Sequence, residues 1–341
     1  MNQTMKFSGA VCPSVIPLDD SGQIDLTGLE KHMARLSDSG INGILLSGTI
    51  GEFATMSVRE RAMLILEARK MSDLPLIAHI SSTVEEDMLY LADAAYDSGY
   101  DAVMVLPQYY YAQTSRQLLS YFRSLDRKLA GDWFIYNFPA RTGCDVDAHL
   151  VRMLAESCPR FIGIKDTVDC ASHTRAIVNA VTPLRKDFAV FAGFDEYFVP
   201  NLMNGGAGVL SGLNNVVPEL FAQIMRAYRA GDLNEVAGLH KEIGRLSGIY
   251  AIGDDFVSTI KTAISRKYGY MTPVSRNHNG QLTADQADCL EQIVRSVTAK
   301  GQEAHHEKRH HLYHRGSCPR WGIISGGESR GNHLSRRSGR F

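Results

Sequence analysis

Cysteine is sparse and unpatterned in this 341-residue chain. The six residues (Cys12, Cys144, Cys158, Cys170, Cys289 and Cys318) form no Cys-X-X-Cys pair and no regular framework. That excludes a disulfide scaffold and fits reduced thiols, so a cytoplasmic location is expected. No apolar run approaches the ~18 residues that a membrane span needs. The stretch Met1–Ser8 has neither an n-region nor an apolar h-region, so no secretory signal is expected. No Gly-X-Gly-X-X-Gly opens a helix after the first predicted strand, which counts against a dinucleotide fold. Excess charge is missing too, the net value being −1 at pH 7. It hides an asymmetry: residues 301–341 hold eight Lys/Arg against three acids, leaving 28 basic and 34 acidic residues in the body. A body with a net charge of −6 offers no phosphate-binding footprint, so nucleic acid is not an expected partner.

What is present is ordinary for a globular enzyme: 44% apolar and 21% charged residues. The length allows one large α/β barrel or two medium domains. From residue 8 to about 212, short apolar runs alternate with amphipathic stretches. The predicted strands are Gly9–Ile16, Gly43–Ser47, Pro75–Ile80, Asp101–Leu106, Trp133–Asn137, Phe161–Lys165, Phe188–Ala192 and Gly208–Leu210. Helical patterns such as Leu26–Ser39, Val58–Met71, Glu85–Asp97, Ser115–Leu129 and Ala171–Val181 lie between them. Eight strands alternating with helices predict parallel pairing and a closed (β/α)8 TIM barrel. Ser57 before Glu60 and Thr83 before Glu86 predict capped helix starts. Asp38-Ser39-Gly40 and Asp97-Ser98-Gly99 predict glycine-terminated helix ends, each followed by a strand. After Val217-Pro218 only helices are predicted: Glu219–Ala230, Leu233–Leu246, Asp255–Lys267 and Ala284–Thr298. The organisation is therefore a catalytic barrel (1–217), a C-terminal helical extension (218–300) and a His/Arg-rich tail (301–341). The tail holds six of the twelve histidines, but their spacing fits no standard metal-ligand set. It is expected to be disordered or foreign to the native protein and is set aside.

One heptapeptide points to chemistry: Phe161-Ile162-Gly163-Ile164-Lys165-Asp166-Thr167, a lone lysine ending an apolar strand. Alternation predicts that Lys165 faces the same way as Phe161 and Gly163. Inside a closed barrel, desolvation favours a neutral amine, which can attack a ketone and form a Schiff base. The plain alternative is a lysine that ends a strand and reaches solvent. Three further stretches follow strand C-termini, where barrel enzymes place their sites. Ser47-Gly48-Thr49-Ile50-Gly51-Glu52 has glycines that let backbone N–H groups approach a carboxylate, or it is only a tight turn. Leu106-Pro107-Gln108-Tyr109-Tyr110-Tyr111 carries three tyrosines, either at a site mouth or subunit contact, or as a plug. Tyr136-Asn137-Phe138-Pro139-Ala140-Arg141-Thr142-Gly143 places a phenol one strand before Lys165, within reach for proton transfer. Its Arg141 suits a carboxylate fork or a surface salt bridge.

Together GTIGE, PQYYY, YNFPARTG and GIKDT, in this order and spacing, resemble the dihydrodipicolinate synthase / N-acetylneuraminate lyase family of pyruvate-handling class I aldolases. The resemblance spans about residues 7–300. It implies Lys165 as the Schiff-base lysine and Tyr136 as the proton-transferring tyrosine. It also implies Gly48, Thr49 and Ile50 as the carboxylate loop. Tyr110 matches the tyrosine lent across a dimer interface to relay protons through Thr49, and Leu210 the residue whose carbonyl faces the lysine. A homotetramer built from two dimers is implied, with no cofactor and no metal.

Departures from the synthase pattern bear on the substrate. Ile50 stands where the synthase has a second threonine, and His79-Ile80-Ser81-Ser82-Thr83 replaces a GTGAN-like stretch. Ala192-Gly193-Phe194-Asp195-Glu196 and Phe138 look like 2-keto-3-deoxy sugar-acid aldolases, with Gly193 expected at the substrate. Arg141 leans toward the synthase. The expected reaction is reversible cleavage of a 2-keto-3-deoxy sugar acid to pyruvate and a short aldehyde. The alternative is condensation of pyruvate with aspartate semialdehyde, and a third reading is a non-catalytic 2-keto-acid sensor.

Overall fold

In the computed structural model, residues 6–276 and 280–297 are described. Eight strands close into one parallel barrel in chain order: β1 (Gly9–Pro13), β2 (Gly43–Leu46), β3 (Leu76–His79), β4 (Ala102–Val105), β5 (Trp133–Asn137), β6 (Phe161–Asp166), β7 (Ala189–Ala192) and β8 (Gly208–Leu210). Closure is made by β1 against β8, with Val11 opposite Leu210. Several strands stop earlier than predicted. The first ends at Pro13 and the second at Leu46, because Ser47 turns into the left-handed region with φ 53° and cannot continue the ladder.

Helices follow the strands: α1 (Leu26–Asp38), α2 (Val58–Met71), α3 (Glu85–Asp97), α4 (Ser115–Lys128), the single-turn α5 (Pro139–Thr142), α6 (Ala148–Ser157), α7 (Ala171–Val181) and α8 (Phe198–Met203). Ser57 and Glu60 form a complete capping box on α2. Thr83 does not cap α3: Val84 holds that position, and Ser82 Oγ takes the Val84 N–H instead. Gly40 and Gly99 end α1 and α3 with φ of 85° and 81°, as the Asp-Ser-Gly punctuation predicts. Beyond β8 come α9 (Pro218–Arg229), α10 (Leu233–Leu246), α11 (Phe256–Tyr268) and a helical stretch at 284–297. Helix α9 packs on α10 and β1. The residues 301–341 set aside above lie outside the described residues. Among the described residues no helix is long and apolar enough to cross a membrane.

Two apolar layers follow from strand alternation. Ala10, Cys12, Ile44, Leu46 and Ile164 face the helices, whereas Val11, Leu45, Ile77, Met104, Phe134, Phe191 and Leu210 fill the barrel. Phe7 joins the inner layer just before β1, edge-on to Phe134 with centroids 5.3 Å apart. One expectation fails here. The β5–β6 register slips, pairing Trp133 with Phe161 but Phe134 with Gly163, so Ile162 is an extra residue. Phe161 therefore faces outward, stacked on Trp133 at 4.7 Å, while Lys165 faces inward.

Candidate active site

The C-terminal ends of β2 to β6 bring several predicted residues together. Lys165 and Tyr136 are opposite each other in the β5–β6 ladder and are 5% and 2% exposed. The Lys165 Nζ lies 4.2 Å from the centre of the Tyr136 ring. The Tyr136 hydroxyl lies 3.0 Å from Thr49 Oγ1, which ties the β2 loop to the β5 phenol. Among the described residues Lys165 forms no ion pair, so this buried amine has an aromatic face and no carboxylate beside it. Such a group is unusual, because buried lysines are normally paired.

The loop from Ser47 to Glu52 is pinned at both ends. Gly51 sits tightly, since a Cβ there would come within 3.1 Å of the Ser14 carbonyl. Glu52 adopts φ 55° and is buried. Its carboxylate accepts from Lys261 Nζ, from Ser275 Oγ at 2.7 Å and from the Arg276 N–H at 2.8 Å. Lys261 belongs to α11 and is fully buried; burial pulls its pKa down, and Glu52 opposes that. Helix α11 thus holds the loop through a buried ion pair that the sequence reading did not contain.

His79 was also overlooked as a site residue. It is fully buried at the end of β3. Nδ1 lies 2.9 Å from the Ser47 carbonyl and Nε2 2.9 Å from Ser81 Oγ, which assigns the proton to Nδ1. Burial, then the Arg61 charge, keeps its pKa well below the ordinary imidazole range, and Lys165 adds to this. The only signal in the sequence was a polar residue on the inward register of a strand, two positions after Ile77.

Thr167 is a third addition. It lies two residues beyond Lys165, and its buried Oγ1 has no partner among the described residues. Gly193 presses flat against it: a Cβ at 193 would fall 2.1 Å from that oxygen. Nearby, Asp195 is buried, accepting from Ser211 Oγ and from the Tyr250 hydroxyl at 2.9 Å. Burial raises its pKa to about 6, and these hydrogen bonds work against the rise. On the outer side of β6, Asp166 accepts from Asn137 Nδ2 at 3.0 Å, Thr174 Oγ1 at 2.7 Å and His173 Nδ1 at 2.9 Å. His173 also meets Asp145, and hydrogen bonds to Asp145 and Asp166 raise its pKa to about 10.

The other expected site residues are placed less centrally. Gly48 and Ile50 are buried in the loop, and Leu210 is a buried inward residue of β8. Tyr110 is 85% exposed with φ 81°, edge-on to the exposed Tyr111. Arg141 is exposed on α5 and forms no ion pair among the described residues. No group of three His, Cys, Asp or Glu among the described residues is placed to hold a metal.

A parallel eight-stranded barrel with an inward lysine and tyrosine on neighbouring strands is a narrow class of arrangement. The chain belongs to the dihydrodipicolinate synthetase family, whose model matches residues 6–297. Among its relatives is the probable 2-dehydro-3-deoxy-D-pentonate aldolase YjhH of Escherichia coli K12. It is 33% identical over 258 residues, which are 75% of this chain and 86% of that one. The putative 2-dehydro-3-deoxy-D-gluconate aldolase YagE of the same organism is 30% identical over 266 residues, 77% of this chain and 88% of that one. The crystal structure of YagE in complex with pyruvate superposes with a TM-score of 0.83 at 27% identity, covering 86% of this chain and 99% of that chain.

Proposed function

We propose that this protein is a class I aldolase that reversibly cleaves a 2-keto-3-deoxy sugar acid to pyruvate and a short aldehyde. The observation that carries the reading is the buried, unpaired Lys165 amine against Tyr136, whose hydroxyl meets Thr49. The Lys165 amine attacks the C2 ketone and water leaves, forming an iminium. Breaking the C3–C4 bond passes its electron pair to the iminium nitrogen, giving an enamine. Tyr136 takes the proton of the C4 hydroxyl, and the aldehyde departs. Protonation at C3 and hydrolysis then release pyruvate and the free amine. Pre-aligned proton transfer of this kind contributes roughly 10²–10⁴ in rate. In this reading the amides of Gly48, Thr49 and Ile50 seat the carboxylate, and we assign the Leu210 carbonyl to face the lysine.

The substrate class draws support from two sources. The two E. coli relatives carry sugar-acid aldolase names. The orphaned Thr167 hydroxyl, backed by Gly193, offers a hydrogen bond to a hydroxylated substrate. An unsatisfied buried hydroxyl costs about 1–3 kcal/mol, which a substrate hydroxyl would recover. Arg141 stands outside this arrangement, and we assign it a peripheral role. Exposure and a left-handed backbone at Tyr110 suit a residue donated to a neighbouring subunit, in a dimer and then a tetramer of two dimers. We place the enzyme in the cytoplasm, where the five described cysteines, all free, would persist as thiols.

The test is borohydride trapping with pyruvate, followed by an aldehyde panel. Trapping should add mass at Lys165 and fail in Lys165→Ala. Glyceraldehyde or glycolaldehyde should then condense with pyruvate, with Arg141→Ala little affected. Consumption of aspartate semialdehyde alone, giving a cyclised product, would establish the synthase reaction instead. A pyruvate adduct without turnover of any hydroxylated 2-keto acid would point to a sensor.

A further inference from the structure

The loop after β2 is held by residues that the reaction above does not use. Ser47 opens it at φ 53°, a conformation that residues other than glycine rarely adopt. This turn sets the course of the Gly48, Thr49 and Ile50 amides that follow. A side chain at the end of β3 holds this turn. The buried His79 Nδ1–H donates to the Ser47 carbonyl at 2.9 Å. The same ring meets Phe53, at the far end of the loop, edge-on with centroids 4.5 Å apart. It also meets the Tyr136 ring, edge-on at 5.9 Å. A single imidazole therefore touches both ends of the loop and the tyrosine that faces Lys165.

The orientation of that imidazole is set by its own neighbours. Its Nε2 accepts from Ser81 Oγ at 2.9 Å, and Ser81 Oγ in turn accepts the Leu106 N–H at 2.7 Å. Arg61 donates to the carbonyl oxygens of His79 at 2.6 Å and Ser81 at 2.8 Å, and its guanidinium lies 5.4 Å from the Phe53 ring centre. Both ring nitrogens are engaged within the protein, one as donor and one as acceptor, so His79 does not serve as an acid or base. What remains is geometry.

We propose that His79 is a positioning residue for carboxylate recognition. Through its hydrogen bond to the Ser47 carbonyl it sets the course of the Gly48–Ile50 amides. The proposal rests on the pyruvate reading given above.

Two variants and two readouts test it. His79→Leu keeps apolar bulk and removes both nitrogens, while His79→Asn keeps an N–H donor near the Nδ1 position and removes the ring. The pyruvate dependence of borohydride trapping separates half-saturation from maximal rate. In His79→Leu the half-saturating pyruvate concentration should rise about tenfold, with the maximal rate changing less than about threefold, the order of one lost hydrogen bond. His79→Asn should recover most of that loss. In the substrate-free protein, hydrogen exchange of the 47–50 amides should quicken in His79→Leu and stay near wild type in His79→Asn. A folded His79→Leu with wild-type pyruvate dependence overturns the proposal. So does a His79→Asn as impaired as His79→Leu, which would reduce the role to ring packing. If His79→Leu does not fold, Ser81→Ala releases the ring without touching the loop and should shift half-saturation the same way; no shift there overturns the proposal. A wild-type protein that traps no pyruvate defeats the functional reading alone, and the exchange result then decides the role of His79.

Discussion

Lys261→Met is the sharpest test of how the helical extension serves the site. The substitution keeps the length and apolar stem of the side chain but removes the charge that pairs with Glu52. Lys261 is fully buried and Glu52 is 5% exposed, so the carboxylate cannot turn to water. Removing one partner of a buried pair costs about 3–5 kcal/mol. Glu52 would still accept from Ser275 Oγ and the Arg276 N–H, which places the expected loss at the low end, about 3 kcal/mol. At roughly 2 °C per kcal/mol for a domain of this size, thermal unfolding should fall by about 6 °C. The double variant Glu52→Gln with Lys261→Met leaves no uncompensated charge and should recover at least half of that loss. Differential scanning calorimetry of the wild type, Lys261→Met, Glu52→Gln and the double variant closes the cycle and gives the coupling directly. An unchanged melting temperature in Lys261→Met, or a double variant worse than Lys261→Met, would refute the reasoning. Pyruvate half-saturation should rise in parallel, because the pair anchors the loop that carries Gly48 and Thr49.

Tyr136→Phe should leave pyruvate trapping at Lys165 intact and lower aldol turnover about 10²–10⁴-fold; loss of trapping would make the hydroxyl necessary for imine formation instead. Tyr110→Phe should lower turnover far more than stability, and sedimentation should give an oligomer; a fully active monomer would remove Tyr110 from the mechanism. His173 has its pKa raised to about 10 by Asp145 and Asp166. Its contribution to stability is therefore complete below the ordinary imidazole pKa of about 6.5 and is lost as pH rises through 10. Urea midpoints measured from pH 7 to 10 should fall, and His173→Gln should flatten that fall; an unaltered slope would show that the two carboxylates do not hold the imidazolium.

The barrel was legible because its signals are local. Short apolar runs, the Asp-Ser-Gly exits and the Ser57–Glu60 cap act within a few residues, and each reads the same in the sequence and in the fold. The lysine and tyrosine could be paired in advance because neighbouring parallel strands deliver their ends to one face of a barrel. Three things could not be read this way. The outward turn of Phe161 depends on a register slip at Ile162, a property of pairing between strands and not of either strand alone. Thr83 lost the cap to its neighbours because the capping-box spacing of Thr83 and Glu86 does not decide where the first helical turn begins. The buried contacts of Glu52 with Lys261 and of Ser47 with His79 join residues 209 and 32 positions apart. Residue type and period determined which segments became strands, whereas the register of β6 on β5 decided that Lys165 faces the interior while Phe161 does not. Only closure of the barrel decided what surrounds that lysine, because a hydrogen bond between distant residues exists once the chain has brought them within 3 Å and excluded water.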